Sequence, residues 1–348
     1  MSDILRINCI KVSLISLLLL FFQSLRGQQF ADPVLQFERS GKELGSHAVL
    51  AIVQPGKPVF VKIIGEMTPK DQAPLGSISQ WLTTALVLSY VDAGKISLSD
   101  KVSQYIPVFA KYAKGYITIR DCLTHFTGIE GEPVKMSSFG PNSKFSMLQD
   151  EVETFATKRE IKANPATEFR YSQVGLNLAA RVLEVITRRG FEQLMAEKIT
   201  RPLMMRSTSF SSFGAVNPSG GAVGSANDLS NFLTMLLNKG MFNGKRILSE
   251  SSIQEMQKVC TTPTLIKYAP AQAEGMAYTM GAFVTATNVD GVATALDCPG
   301  LCGSWAGIDW CRNYGFLVLT RKMENTEKSD VYKRIRQALN DQLPSVCH

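Results

Sequence analysis

The chain has 348 residues, of which 45% are hydrophobic and 19% are charged. This composition is that of an ordinary globular protein, and the length suffices for one large domain or two modest ones. The net charge of +7 is mildly basic, but Lys and Arg form no run with interleaved aromatic residues, which argues against nucleic acid as a partner.

The N-terminal segment 1–27 has the features of a secretory signal peptide. A basic start leads into an apolar, uncharged run over 12–25, and Gly27 offers a small residue for cleavage. The apolar run is short for a membrane span, so a retained N-terminal anchor is the weaker alternative. We therefore expect an exported protein, periplasmic or secreted, with one mature domain over 28–348.

Cysteine and histidine usage argues against a metal site. Cys9 would leave with the signal, and the six remaining cysteines allow fifteen disulfide pairings, among which the spacing does not choose. Export would permit such disulfides. The three histidines, His47, His125 and His348, are too few and too scattered for a metal cluster. No nucleotide-binding fingerprint is present, so we expect neither a metal nor a cofactor.

A long apolar stretch predicts a buried helix over 80–93. Pro74 and Gly76 mark the loop before this helix, and Gly94 is suited to the left-handed position that ends it. Ser77 is thereby predicted at or near the first helical turn. Backbone N–H groups and the positive end of the helix dipole favour negative charge there.

Two neighbouring segments carry a resemblance to a known family. Residues 76–80 read G-S-I-S-Q, and 91–102 read V-D-A-G-K-I-S-L-S-D-K-V. Together they resemble the serine β-lactamase and penicillin-binding protein superfamily, in the branch of class C β-lactamases, D-Ala-D-Ala carboxypeptidases and related esterases. The resemblance covers roughly 32–343. It implies an α/β (α+β) fold in which an antiparallel sheet is flanked by helices, with a mostly helical inserted lobe.

The first catalytic motif departs from the family pattern. The family has S-x-x-K, whereas this chain has Gln80 in the place of the lysine. The resemblance implies that Ser77 is the nucleophile and that the N–H groups of Ser77 and Ser304 form the oxyanion hole. A glutamine can orient a hydroxyl but has no useful pKa, so Gln80 cannot accept the serine proton.

The second motif keeps its tyrosine. Tyr171-Ser172-Gln173 resembles the family's Y-x-N, with Gln173 replacing the asparagine, and the apolar spacing after it predicts a helix over 174–188. Tyr171 is the only group of the motifs that still titrates. Because an unperturbed tyrosine has a pKa near ~10, it is a feeble base without a neighbouring cation.

The third motif keeps only its glycine. The family has K-T-G or H-x-G, and the matching segment 300–304 has Leu301 where the cation should be. Gly303 is retained, which suits close approach of a ligand to the strand backbone. Trp305 either walls the cleft or packs in the core. The resemblance implies that Gln173, Leu301, Gly303 and Trp305 contact the substrate.

His125 lies in a segment similar to the family's "iTirhLLsHtSGl". No Ser/Asp pair brackets it as in a catalytic triad, which favours a hydrogen-bonded structural histidine over a catalytic one. Ser225 and Asp228 are spaced as a capping box at the start of another helix. The remaining predicted elements are a β-hairpin over 48–54 and 58–65, strands near 280–287, 292–296, 303–309 and 314–321, and a last helix near 330–343.

Two functions of different classes follow. In the first, the protein is an exported serine hydrolase that acts weakly on a small ester, amide or peptide through an acyl-enzyme on Ser77, with Tyr171 as partner. In the second, it is an impaired pseudo-enzyme whose cleft binds cell-wall peptide or a protein. The retained Ser77, Tyr171 and Gly303 favour the first, and Gln80, Gln173 and Leu301 favour the second. The sequence leaves the oligomeric state open.

Overall fold

The computed structural model describes residues 30–57, 59–132, 145–212, 216–300, 303–321 and 328–347. Its centre is an antiparallel sheet of six strands in the order β2-β1-β12-β11-β10-β9. These six strands are β1 (Ala48–Val53), β2 (Phe60–Ile64), β9 (Phe283–Thr287), β10 (Ala293–Pro299), β11 (Trp305–Asp309) and β12 (Tyr314–Thr320).

Three two-stranded pairs lie outside this sheet. They are β3 (Ala73–Pro74) with β5 (Val223–Gly224), β4 (Phe169–Arg170) with β8 (Ile266–Tyr268), and β6 (Met241–Phe242) with β7 (Lys245–Arg246).

The described helices fall into two groups, those on the sheet and those of the inserted lobe. They are α1 (Ala31–Arg39), α2 (Ile78–Asp92), α3 (Val102–Tyr105), α4 (Val108–Lys111), α5 (Ile119–Leu123), α6 (Leu148–Thr157), α7 (Val174–Thr187), α8 (Phe191–Met195), α9 (Ala226–Leu237), α10 (Glu250–Gln257) and α11 (Lys328–Gln342).

The sheet has a core on each face. The chain termini supply α1 and α11, which pack together and enclose an apolar cluster that includes Phe37, Ile52 and Phe316. The opposite face packs against α9 and the larger core around α2. The fold class expected from the resemblance is thus confirmed: an antiparallel sheet is flanked by helices, and a mostly helical segment is inserted between β2 and β9.

Helix α2 is the buried helix predicted from the sequence. It begins at Ile78, two residues earlier than expected, and nearly all of its side chains are buried because the sequence is apolar on every side. Ser77 is the N-cap residue, and Gly94 has a φ of +64° at the other end, as predicted. The helix therefore carries Ser77 into the interior of the domain.

The predicted hairpin is confirmed, with Ala48 paired to Ile64 in antiparallel register. The capping box at α9 is only half formed. Ser225 accepts the N–H of Asp228, but the Asp228 carboxylate accepts hydrogen bonds from Ser207 N–H and Thr208 Oγ1, both at 2.8 Å. The prediction that Asp228 reaches back to Ser225 was therefore wrong, because a chain segment that is distant in sequence supplies better donors.

The five described cysteines form one disulfide and three free thiols. Cys311 and Cys347 are bonded, which ties the turn between β11 and β12 to the chain after α11. Cys122, Cys260 and Cys298 are free. Within the described ranges, every helix is too short or too polar to cross a bilayer. The predicted signal at 1–27 lies outside the described residues.

Candidate active site

Ser77 occupies the junction between a short strand and α2. The loop before it is held because β3 pairs with β5 and the Leu75 N–H donates to the Ala222 carbonyl at 2.8 Å. Ser77 is 1% exposed. Within the part of the chain that the structure describes, its Oγ has no hydrogen-bond partner. The predicted nucleophile is thus buried, at a helix N-terminus, with an unengaged hydroxyl.

Gln80 lies one turn further along α2 and is fully buried. Its Oε1 lies 3.0 Å from His125 Nε2 and accepts a hydrogen bond from the Tyr278 hydroxyl at 3.3 Å. Its Nε2 has no partner among the described residues. The side chain in the place of the motif lysine is therefore engaged through its oxygen only.

His125 links Gln80 to the second motif. It has a left-handed φ of +60°, its carbonyl accepts the Arg170 N–H at 3.1 Å, and its Nδ1 accepts the Ser172 N–H at 3.4 Å. Since Nδ1 is an acceptor, the ring proton of the neutral histidine is on Nε2. Burial lowers the pKa of His125 to about 3, so the ring is neutral at pH 7. His125 is thus hydrogen-bonded, as expected, and its structural role stays a prediction.

Tyr278 completes the contacts of Gln80, and the sequence reasoning missed it. Its hydroxyl lies 3.1 Å from His125 Nε2, and its N–H donates to Thr261 Oγ1 at 2.8 Å. Burial, with a smaller effect of Tyr171, raises the pKa of Tyr278 well above its ordinary value. No sequence motif marks this residue, which precedes β9 and lies 198 positions from Gln80.

Tyr171 is brought to the same cluster. Its ring lies 4.5 Å from the His125 ring and 5.5 Å from that of Phe283, and its N–H donates to the Tyr268 carbonyl at 3.1 Å. The side chain is 2% exposed. The second motif therefore reaches the first one through His125, which contacts both Tyr171 and Gln80.

Gln173 and the third motif flank this centre. Gln173 is the N-cap residue of α7, and its carbonyl accepts the Ser219 hydroxyl at 2.8 Å. Gly303 has a φ of +87°, and its carbonyl accepts the Tyr332 hydroxyl. Leu301, the predicted substitute for the motif cation, lies outside the described residues.

Ser304 joins the third motif to the nucleophile loop, because its hydroxyl donates to the Pro74 carbonyl at 2.8 Å. A Cβ on Gly300 would lie 1.9 Å from the Ser304 carbonyl oxygen and 3.3 Å from that of Leu75, so the turn requires glycine. Among the described residues, neither the Ser77 N–H nor the Ser304 N–H donates to another backbone carbonyl.

Trp305 packs in the core rather than against the cleft. It is 1% exposed, and its ring stacks on that of Tyr332 with the centroids 4.8 Å apart. Both rings belong to the apolar cluster between the sheet and α11. The prediction that Trp305 walls the cleft is therefore wrong, and the core alternative that the sequence also allowed is correct.

The family model for Beta-lactamase matches residues 44–340. The chain belongs to the Beta-lactamase family. The superfamily resemblance drawn from the motifs around Ser77 is thereby confirmed. Members of this family are β-lactamase-related serine hydrolases.

Two curated relatives of this Beta-lactamase family member share about a quarter of the aligned residues with it. It is 24% identical over 177 residues to the D-alanyl-D-alanine-carboxypeptidase/endopeptidase AmpH of Escherichia coli K12, a match that covers 48% of this chain and 46% of AmpH. It is 24% identical over 194 residues to Protein flp of Staphylococcus aureus MW2, covering 53% of this chain and 38% of that protein. The match thus spans less than half of either relative.

Two solved structures share the fold of the Beta-lactamase family member. A crystal structure of a putative beta-lactamase from Bacteroides dorei has a TM-score of 0.77 at 22% identity and covers 88% of this chain and 98% of its own. EstCE1, a hydrolase with promiscuous acyltransferase activity, has a TM-score of 0.75 at 19% identity and covers 90% and 99%.

The described neighbours of Gln80 in this family member are uncharged. Within the described ranges, the groups that act on the pKa values of His125 and Tyr278 are backbone, tyrosine and cysteine groups, and no lysine or arginine is among them. The described residues also contain no cluster of His, Cys, Asp and Glu that could hold a metal ion. The described contacts of Gln80 thus include no group with the pKa of a general base.

Proposed function

We propose that this protein is an impaired member of the Beta-lactamase family that binds small ester, amide or peptide ligands beside Ser77 and turns them over slowly at most. One observation carries the proposal: Gln80 replaces the lysine and is hydrogen-bonded to neutral His125 and protonated Tyr278. Loss of a positioned general base costs about 10²–10⁴ in rate.

The test is steady-state hydrolysis of p-nitrophenyl acetate by wild type and Ser77→Ala. We expect the wild-type rate to exceed that of Ser77→Ala by no more than about tenfold, since most of the base contribution is missing. A wild-type turnover thousands of times that of Ser77→Ala would overturn the proposal.

A weak serine hydrolase is the second candidate. The observation in its favour is the buried Ser77 hydroxyl, which has no partner among the described residues. The Ser77 and Ser304 N–H groups, which the resemblance implies as oxyanion donors, also donate to no described backbone carbonyl. If active, the protein should prefer small neutral esters to β-lactams, because Leu301 leaves the third motif without a cation for a carboxylate. A kcat/KM on a cephalosporin above that on p-nitrophenyl acetate would contradict this preference.

We also propose that the protein is exported, with cleavage near Gly27. The signal-like sequence of 1–27 supports this, and so does the Cys311–Cys347 disulfide, because such bonds persist mainly in oxidising compartments. N-terminal sequencing of protein from the native host should find a start close to Gln28. An intact Met1-Ser2-Asp3 start on cytosolic protein would contradict it.

A further inference from the structure

The two edge strands of the six-stranded sheet, β9 and β2, differ in how they are protected. A strand edge presents unpaired N–H and C=O groups, which proteins block with a bulge, a charge or a covering segment. The pairing of β9 with β10 contains register shifts. On its outer side, Phe283 forms a bridge with Tyr278, and the Val284 N–H donates to the Ala277 carbonyl at 2.8 Å. The β9 edge is therefore bulged and partly covered.

The β2 edge shows none of these devices in the described part of the chain. Strand β2 pairs with β1 over five consecutive residues without a register shift, and no described residue outside β1 exchanges a backbone hydrogen bond with it. The charged residue of β2, Lys62, forms an ion pair with Glu38 of α1, so its charge is compensated. Strand β2 therefore presents a regular row of backbone donors and acceptors to a further strand.

Apolar side chains are exposed along this open edge. Val59 and Ile63 are 39% and 41% exposed, and they lie on the same face of the strand as Val61 because side chains alternate between the faces. Leu35, which is 39% exposed, lies on the face of α1 that carries Glu38, three residues further along the helix. A grouping of exposed apolar side chains at an open strand edge indicates a protein interface that a strand completes.

We propose that β2 pairs with β2 of a second copy of this chain, antiparallel across a two-fold axis at Val61, so that the two sheets become one. A two-fold contact must be self-complementary, and β2 meets this requirement. With Val61 opposite its own counterpart, Val59 lies opposite Ile63 of the second copy, which gives apolar pairs along one face.

The charges favour this partner and this register. When the axis is at Val61, Lys62 lies opposite Phe60 of the second copy, whereas an axis at Lys62 would set two lysines directly opposite each other. Because Glu38 compensates Lys62 within each copy, the paired strands bring no net charge together, although the chain carries +7. One short strand from each copy makes a small contact, so we expect a reversible dimer at micromolar concentration.

Sedimentation equilibrium of the full chain measures the association. Wild type should approach twice the mass of the chain as its concentration rises through the micromolar range. Ile63→Lys should weaken the association about tenfold or more, because it places an amine opposite Val59 of the second copy. Ile63→Lys combined with Val59→Glu should restore it, since the new charges then lie opposite each other. The control Val289→Lys replaces an exposed valine between β9 and β10 and should match wild type.

Oxidative cross-linking tests the register independently. Directly opposed residues of antiparallel strands have Cα atoms about 4.5–5.5 Å apart, which is within the range of a disulfide. Val61→Cys should therefore give a covalent dimer. Ile63→Cys is the control, because residue 63 is the more exposed but lies about 14 Å from its own counterpart when the axis is at Val61.

Wild type that stays monomeric throughout the micromolar range would overturn the proposal. A dimer that Ile63→Lys leaves unchanged would also overturn it, because the contact would then lie elsewhere. If Ile63→Cys cross-links as fast as Val61→Cys, the two-fold axis at Val61 is refuted. Urea unfolding of each variant shows that it is folded, and the cross-linking result decides the matter if Ile63→Lys is not.

Discussion

Two buried polar networks lie in this domain, and they differ in how completely their groups are paired. On one face of the sheet, Arg336 of α11 donates to both carboxylate oxygens of Asp297 and to the carbonyls of Leu296 and Ile308, at 2.9 and 3.3 Å. On the other face, Ser77 and Gln80 each keep an unpartnered polar atom among the described residues. The described groups of the first network are therefore the more completely paired.

The two networks also differ in the charges that they contain. The Arg336–Asp297 network pairs a full positive with a full negative charge, and its guanidinium lies 5.2 Å from the centre of the Phe316 ring. Among the described residues, the contacts of Gln80 include no such pair, and His125 is held neutral by burial. The structural network thus compensates its buried charges, whereas the described contacts of Gln80 are with uncharged groups.

Breaking the structural network should have the largest effect. Arg336→Met leaves the Asp297 carboxylate buried without its partner, and we expect a loss of about 3–5 kcal/mol in the free energy of unfolding. Urea unfolding measures it. Lys333→Met, on the exposed side of the same helix, is the control and should change stability by less than about 0.5 kcal/mol. A loss for Arg336→Met under about 1 kcal/mol would remove the contrast between the two networks.

Because His125 is neutral in the fold, the free energy of unfolding should depend on the pH. The pKa of His125 is lowered to about 3 in the fold from 6.5, so between these values the unfolded chain binds the extra proton. Stability conferred by neutral His125 is complete above pH 6.5 and falls as the pH drops towards 3, by at most about 1.4 kcal/mol per pH unit.

Urea unfolding at several pH values checks this dependence. In His125→Asn, the free energy of unfolding should fall less between pH 6.5 and 3 than it does in wild type. In His47→Asn, which replaces an exposed histidine, the fall should match that of wild type. Parallel pH profiles for wild type and His125→Asn would show that the histidine is not held neutral.

Removing the Ser77 hydroxyl should lower the free energy of unfolding hardly at all. Ser77→Ala deletes a buried hydroxyl that has no partner among the described residues, so we expect the free energy of unfolding to stay equal or rise by up to about 1 kcal/mol. Ser79→Ala is the matched control, because Ser79 Oγ accepts the Ala222 N–H at 3.1 Å and its removal should cost about 1 kcal/mol. If urea unfolding gives an equal decrease in the free energy of unfolding for both variants, the Ser77 hydroxyl already has a hydrogen-bond partner.

Elements with a strong local pattern were predictable from the sequence. The apolar run after Gly76 predicted α2, and the alternation of β-branched runs with turn residues predicted the β1–β2 hairpin. The face of Trp305 was not predictable, because all five residues of β11 are buried, including the polar Asp309, so polarity does not mark an outer face.

The candidate site was predictable only where a motif carried it. Ser77, Gln80 and Tyr171 stand at motif positions, and the structure links Gln80 to Tyr171 through His125. The role of Tyr278 could not be predicted, since its contact with Gln80 joins residues 198 positions apart and depends on the packing of the turn before β9 against α2. The partner of Asp228 was missed for the same reason.

The most direct test of the central claim, that Ser77 lacks a base, is the turnover of p-nitrophenyl acetate by Gln80→Lys. The substitution returns an amine to the helix face of Ser77, and we predict a rise in kcat of about 10²-fold or more over wild type. The gain should be absent in Gln80→Met and in Gln80→Lys combined with Ser77→Ala. Unfolding measurements must show that the buried amine leaves the domain folded. A fast wild type that Gln80→Lys does not accelerate, and that Ser77→Ala abolishes, would contradict the account, because another residue would then serve as the base.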